Sequence, residues 1–172
     1  MRVSERSSTS LDELERSGWW CVDGTEVHLT NLDKVLFPGP APLTKRDVVR
    51  YYADVAPYLL PYLEGRPVNA HRYPDGVTRP GFWHKEVPGH APEWLTQWHN
   101  ADADPGETEC YAVLDSVPAL VWMANFAGVE LHPWTSRIPR VQEPTWALVD
   151  IDPGDTTTFD EVVELARSNL RR

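Results

Sequence analysis

The ten residues from Thr145 to Gly154 constrain the fold more than any other stretch of this chain. Trp146, Leu148 and Val149 read as a strand covered on both faces, which the Pro153-Gly154 pair stops. Side chains on a strand alternate, so Asp150 and Asp152 leave on the same side, with Cα atoms roughly 6.6–7 Å apart. Ile151 between them points back toward the core. Two carboxylates side by side at the end of an apolar strand repel each other and lose hydration. A divalent cation offsets that cost most simply. Mg²⁺ or Mn²⁺ prefers carboxylate oxygens, keeps several waters and commonly brings substrate phosphates with it. Paired ions about 3.5–4 Å apart would serve in-line phosphoryl transfer. The plainer alternative is a pair of solvated aspartates before a turn. An EF-hand calcium loop would put Glu161 at its twelfth position, but Pro153 and the early Gly154 break that pattern.

The rest of the chain sets outer limits. At 172 residues, 41% of them hydrophobic and eight of them Trp, it is long enough for one domain with a real core. No apolar run is long enough to span a membrane. Residues 1–24, polar and mixed in charge over their first eighteen, read as a flexible lead-in without the apolar core of a signal peptide. Residues 25–172 form the folded portion. Cys21 and Cys110 show neither a disulfide framework nor zinc-ligand spacing, and a cytoplasmic location is the default expectation.

A net charge of −10 argues at face value against a nucleic-acid partner. Its distribution argues otherwise. From Lys34 to Lys85 eight basic residues face four acidic ones, whereas Glu86 to Ser136 holds eight acidic residues and no Lys or Arg. Such asymmetry lets a molecule present one cationic face to a phosphate backbone. A solvated charged surface is the competing reading.

Along the chain, Glu26–Thr30 reads as a strand and Gly39–Pro42 as a loop. Thr44 caps a helix, with Asp47 three residues on and Val48, Tyr52, Val55 and Leu59 as its buried stripe. Pro57 should kink this helix and Pro61 finish it. Strands follow at Val68–Tyr73 and Gly81–Lys85, then at Trp94–Trp98 and Glu109–Leu114. Ser116 caps a second helix, apolar at Val117, Leu120, Val121, Ala124 and Phe126, which Gly128 closes. Val129–Trp134 is another strand and carries His132. Thr158 and Glu161 make a capping box for a last helix, Asp160 to about Leu170, with Val162, Val163 and Leu165 or Ala166 inside. These spacings do not repeat as βαβ units. They predict an α/β (α+β) domain with a central mixed, largely antiparallel sheet and flanking helices.

Phe82 and Trp83 are consecutive on a strand, so one should face in and the other out. An exposed aromatic near Lys85 is the arrangement that stacks a base while holding a phosphate. Both rings in the core is the alternative.

Six stretches in order carry a resemblance. They are Asn31–Pro38 (NLDKVLFP) with Leu43-Thr44-Lys45, Tyr51-Tyr52, Gly65-Arg66-Pro67, Phe82-Trp83-His84-Lys85, Val129-Glu130-Leu131-His132 and Asp150-Ile151-Asp152-Pro153-Gly154. Together they resemble the polymerase domain of bacterial DNA ligase D, in the archaeo-eukaryotic primase superfamily. The resemblance runs from about Val27 to the C-terminus and implies a primase-like fold. It also implies a nucleotidyltransferase of bacterial non-homologous end joining, working at DNA double-strand ends with Ku and a ligase domain. Such an enzyme uses nucleoside triphosphates and Mn²⁺ or Mg²⁺. Residue by residue, Asp150 and Asp152 match the catalytic, metal-binding pair. Lys34 and Lys45 match the lysines that hold a 5′-phosphate, and Phe82 and Trp83 the aromatics that stack on the template. His132, with Lys85, matches contacts to the incoming nucleotide. The family domain also has a Ser-x-x-Lys-x-x-His-type stretch and a third acid, which these 172 residues do not contain. The expectation is then the front half of such a domain, completed by a second chain or kept as a non-catalytic DNA-end-binding module.

Overall fold

The computed structural model describes Ser8 and residues 10–169. Strands β1 (Gly18–Val22) and β2 (Thr25–Leu29) form a hairpin, and β3 (Val35–Phe37) pairs with β4 (Leu43–Thr44) just before helix α1 (Lys45–Leu63). Strands β5 (Pro67–Arg72), β6 (Phe82–His84), β7 (Gln97–His99) and β8 (Cys110–Val113) precede helix α2 (Val117–Asn125). Strand β9 (Gly128–Pro133), the ribbon β10 (Ser136–Arg137) and β11 (Arg140–Pro144), and helix α3 (Phe159–Asn169) complete the order.

The main sheet has five strands and is centred on β5. One edge of β5 carries β9, with Asn69 opposite His132 and His71 opposite Glu130. Its other edge carries β6 and then β8, and β7 extends the sheet beyond β8. All of these strand pairs are antiparallel, and helices flank the sheet, so the expected fold class holds.

Helix α1 starts as the sequence predicts. The Thr44 hydroxyl caps the first turn, and Asp47 reaches back to the Thr44 backbone N–H at 2.7 Å. It ends differently, since it passes both prolines and runs to Leu63. Pro57 and Pro61 are exposed, so the carbonyls they leave unpaired can turn to solvent. The buried stripe is Val48, Val49, Tyr52 and Ala56, with Val55 and Leu59 only half-buried.

Helix α2 is apolar on every side, and each residue from Pro118 to Asn125 is buried. Such a helix must be enclosed; α1, β2 and β9 enclose it. Its one polar member, Asn125, accepts a hydrogen bond from the Thr30 N–H at 2.9 Å and donates to the His28 carbonyl at 3.2 Å. After α2 the left-handed residue is Ala127, at φ 56°. Gly128 is required for another reason, because a Cβ there would stand 2.7 Å from the Met123 sulfur and 3.1 Å from its carbonyl.

Two expectations need correction. Residues 10–24 are built into the domain rather than forming a lead-in, while residues 1–7 and 9 lie outside the described residues. Leu11 is buried, Arg46 donates to the carbonyls of Leu11, Leu14 and Glu15, and Asp23-Gly24 turns β1 into β2 with both φ values positive. The second correction concerns Thr145–Asp152, which forms no strand. Trp146, Leu148 and Val149 are exposed, and none of the described strands pairs with them. A strand requires a neighbour, and without one its apolar side chains have nothing to bury against. Helix α3 keeps its capping box, Thr158 with Glu161, but Phe159 and Leu165 are exposed. Among the described residues, no helix is long and apolar enough to cross a membrane.

Replacing Asn125 with Ala should strand the Thr30 N–H and the His28 carbonyl in the interior. Urea denaturation should show a loss of about 1–3 kcal/mol, in the range for a buried group deprived of its partner.

Candidate functional site

Lys34 and Lys45 come together. The Lys45 N–H donates to the Lys34 carbonyl at 2.8 Å where β3 and β4 approach the start of α1. Both side chains line a cavity of about 250 Å³ with Thr30, Asn31, Arg72 and Asn125. Lys45 opens the helix, so the positive end of α1 lies beside it. Its side chain is buried, at 7% exposure, and makes no hydrogen bond within the described residues. Burial, then the charges of Lys34 and Arg72, bring its pKa from 10.5 down to about 8. Lys34 is more exposed and pairs with Asp75 at 2.8 Å, a contact that holds the Asp75 carboxyl below its ordinary range.

Arg72 and Asn31 belong to this cavity although only their charge or position in the sequence hinted at it. Arg72 shares the core-facing side of β5 with Val68 and Ala70, an unusual place for a cation. It is held there on both sides: Nε donates to the Phe126 carbonyl at 2.7 Å, and the guanidinium lies 5.1 Å from the Phe82 ring and 4.9 Å from the Phe126 ring. One terminal nitrogen donates to Nδ1 of His84, and burial, Arg72 and His90 together lower the pKa of that imidazole. Asn31 sits at φ 52°, a conformation Asn tolerates better than most residues. Among the described residues these three cations have one exposed carboxylate partner, Asp75, so the lining of the cavity is net positive.

Beyond Arg72 lies the open edge of the sheet. Phe82 and Trp83 are 46% and 51% exposed, so neither is buried in the core. The expectation of one ring inside fails because β6 is an edge strand whose two rings are covered only in part, Phe82 by Arg72 and Trp83 by His71 and His132. Trp83 stacks on His71, with centroids 4.9 Å apart at 18°, and meets the His132 ring edge-on at 4.8 Å. Glu130 binds this group together. It accepts from Tyr73 at 2.5 Å and lies 3.2 Å from His71 and 3.6 Å from His132; these contacts, Tyr73 first, hold its carboxyl below the usual range. Lys85 follows β6 and is exposed, with no ion pair to the described residues.

Asp150 and Asp152 are both exposed, on a segment that is neither helix nor strand, and neither lines the cationic cavity. The segment is tethered upstream, where buried Arg66 donates to the carbonyls of Trp134 and Thr135 and to Thr145 Oγ1, and faces the Trp146 ring at 5.7 Å. Among the described residues, no group of three or more His, Cys, Asp or Glu is placed to hold a metal ion.

Comparison with known proteins adds a lineage to this geometry. Residues 44–171 match the family described as the LigD primase-polymerase domain. The multifunctional non-homologous end joining DNA repair protein LigD of Mycobacterium tuberculosis is 36% identical over 152 residues, which is 83% of this chain and 19% of that protein. Its counterpart in Mycolicibacterium smegmatis is 32% identical over 89% of the chain, and the bifunctional LigD of Bacillus subtilis 29% over 86%. The chain thus spans about a fifth of the length of these relatives. Among solved structures, the polymerase domain of M. tuberculosis ligase D in complex with DNA superposes with a TM-score of 0.69 at 34% identity, covering 83% of this chain and 51% of that one.

Lys45 should weaken the fold it belongs to. Lys45→Met keeps the shape and removes the charge, so it should raise stability at pH 7 by on the order of 1 kcal/mol, as substitutions that relieve a strained functional site do. Below about pH 8 Lys45 is charged both folded and unfolded, and the full cost of burial is present. Above that pH the folded chain sheds the proton and the cost fades. The advantage of the Met variant in urea denaturation should therefore shrink between pH 8 and 10.

Proposed function

This chain belongs to the LigD primase-polymerase family, and from that we propose that it grips 5′-phosphorylated DNA ends as part of an end-joining nucleotidyltransferase site. The observation that carries the proposal is the convergence of Lys34, Lys45 and Arg72 on one cavity, next to two exposed rings on a sheet edge. A terminal phosphate carries more charge and more free oxygens than an internal diester. It would displace Asp75 from Lys34 and supply Lys45 with the partner that it lacks. Phe82 and Trp83 offer ring faces to a template base at the strand junction, which is sequence-tolerant stacking. The DNA bound in the solved M. tuberculosis domain supports this direction.

Asp150 and Asp152 fit a hard divalent cation by the chemistry of their donors, carboxylates two residues apart with both side chains accessible. Mn²⁺ or Mg²⁺ held by this pair would neutralise triphosphate charge when a nucleotide is bound. His132, fixed by Glu130 and Trp83, and Lys85 are the groups of this chain proposed to meet that nucleotide. Nucleoside triphosphates, Ku and a ligase domain or second chain are its proposed partners.

A non-catalytic end-binding module is the second reading. It is favoured by the contrast between a preformed phosphate cavity and an Asp pair on an uncovered segment without a third ligand among the described residues.

Changing Lys34 and Lys45 together to Ala should weaken binding to a recessed, 5′-phosphorylated duplex by on the order of 1–3 kcal/mol. A duplex ending in a hydroxyl should lose much less in a fluorescence-anisotropy titration. Equal losses on the two duplexes would mean general backbone attraction. Replacing Asp150 and Asp152 with Ala should remove Mn²⁺ binding measured by electron paramagnetic resonance and leave end binding intact. Template-directed incorporation that survives this double change would exclude the metal role.

A further inference from the structure

A cleft of about 900 Å³, larger than the phosphate cavity, adjoins it, and the proposed function makes no use of it. The two share Thr30, Asn125 and Phe126 in their linings, so they adjoin within the length of one nucleotide. Their chemistry differs. The phosphate side carries Lys34, Lys45 and Arg72, whereas the cleft has no Lys or Arg in its lining and is walled by rings, among them Trp19, Trp94, Trp122 and Phe126. His90 stacks against Phe126 at 6.0 Å, and Trp19 lies 4.9 Å from His28. Glu26 supplies a carboxylate at the rim, exposed to solvent.

This polarity matches one class of ligand. A 5′-nucleotide has a dianionic group at one end and, one sugar away, a flat ring that stacks on aromatics; three of the four common bases also carry amino groups that donate to a carboxylate. A diester strand passing through the cleft would instead bring phosphate charge against Glu26. We infer that the cleft is a stacking pocket for the 5′-terminal base of the strand whose phosphate sits between Lys34 and Lys45, taken up when that base is unpaired. This rests on the phosphate reading and goes beyond it. The site would grip frayed or mismatched ends more tightly than fully paired ones.

The test uses the 172-residue chain and a recessed duplex whose 5′-terminal nucleotide is 2-aminopurine opposite a non-complementary base, with or without a 5′-phosphate. Binding should quench the 2-aminopurine emission by about threefold, and the phosphorylated mismatched end should bind roughly fivefold more tightly than its paired counterpart, the lower range for one base stacked on aromatics. Trp19→Ala and His90→Ala remove exposed rings and should abolish the quench and the preference for the mismatch, while keeping the preference for phosphate over hydroxyl. Glu26→Gln should reduce the preference for the mismatch, which replacing the probe base with thymine should also do. Phosphate discrimination without quench or mismatch preference, or with both unchanged in Trp19→Ala and His90→Ala, overturns the cleft alone. Loss of phosphate discrimination in the unaltered chain overturns the cavity and the cleft together.

Discussion

An apolar helix with no wet side has to be walled in, and α2 forces the arrangement of everything around it. Its neighbours α1, β2 and β9 come from three separate parts of the chain, so burying α2 brings residues about a hundred positions apart into contact. Asn125 turns that enclosure into a fixed geometry, since it holds the backbone of His28 and Thr30 from within the core. Phe126, the next residue, becomes the ring on which Arg72 rests. The cationic cavity and the aromatic cleft therefore meet at the C-terminal end of one buried helix.

That setting explains why Lys45 is where stability would not put it. A buried ammonium beside two other cations loses hydration and gains repulsion, and its pKa falls to about 8 in response. Near neutral pH the group is still charged. Its desolvation leaves it poorly satisfied, and on the proposed function that electrostatic strain would become binding energy for a phosphate. The Asp pair follows the opposite design. It is exposed, so its carboxylates keep their hydration, and its segment is held upstream, where Thr145 bonds to Arg66 and Thr135. The anion site is ready before its ligand, whereas the Asp pair has not been gathered with further ligands within the described residues.

Local signals carried much of the fold. The Thr44–Asp47 cap, the apolar run of α2, the register that puts His132 on β9 and the capping box of α3 all follow from short-range periodicity or hydrogen bonding. What failed was what depends on neighbours. Trp146, Leu148 and Val149 have strand composition, yet composition supplies no partner strand. Phe82 and Trp83 alternate as expected, but alternation decides only which side each ring takes, and on neither side of β6 is the ring fully covered. Trp19 to Gly24 reads as part of a lead-in because the polar residues before it mask a Trp-rich strand running into an Asp-Gly turn. In the candidate site, the two lysines were found by position in ordered motifs. Arg72 was not, since a cation on the core-facing side of a strand becomes visible only once Phe82 and Phe126 are seen to flank it.

The central claim is that Lys45 is a buried cation kept in want of a phosphate, and NMR of its side-chain ammonium tests this directly. Titrated in the free chain, Lys45 should lose its proton near pH 8. Adding a recessed duplex with a 5′-phosphate should move that titration upward, because a dianion beside it favours the charged form, and the same duplex with a 5′-hydroxyl should leave it nearly in place. A Lys45 that titrates near 10.5 in the free chain, or that responds equally to both duplexes, would contradict the account.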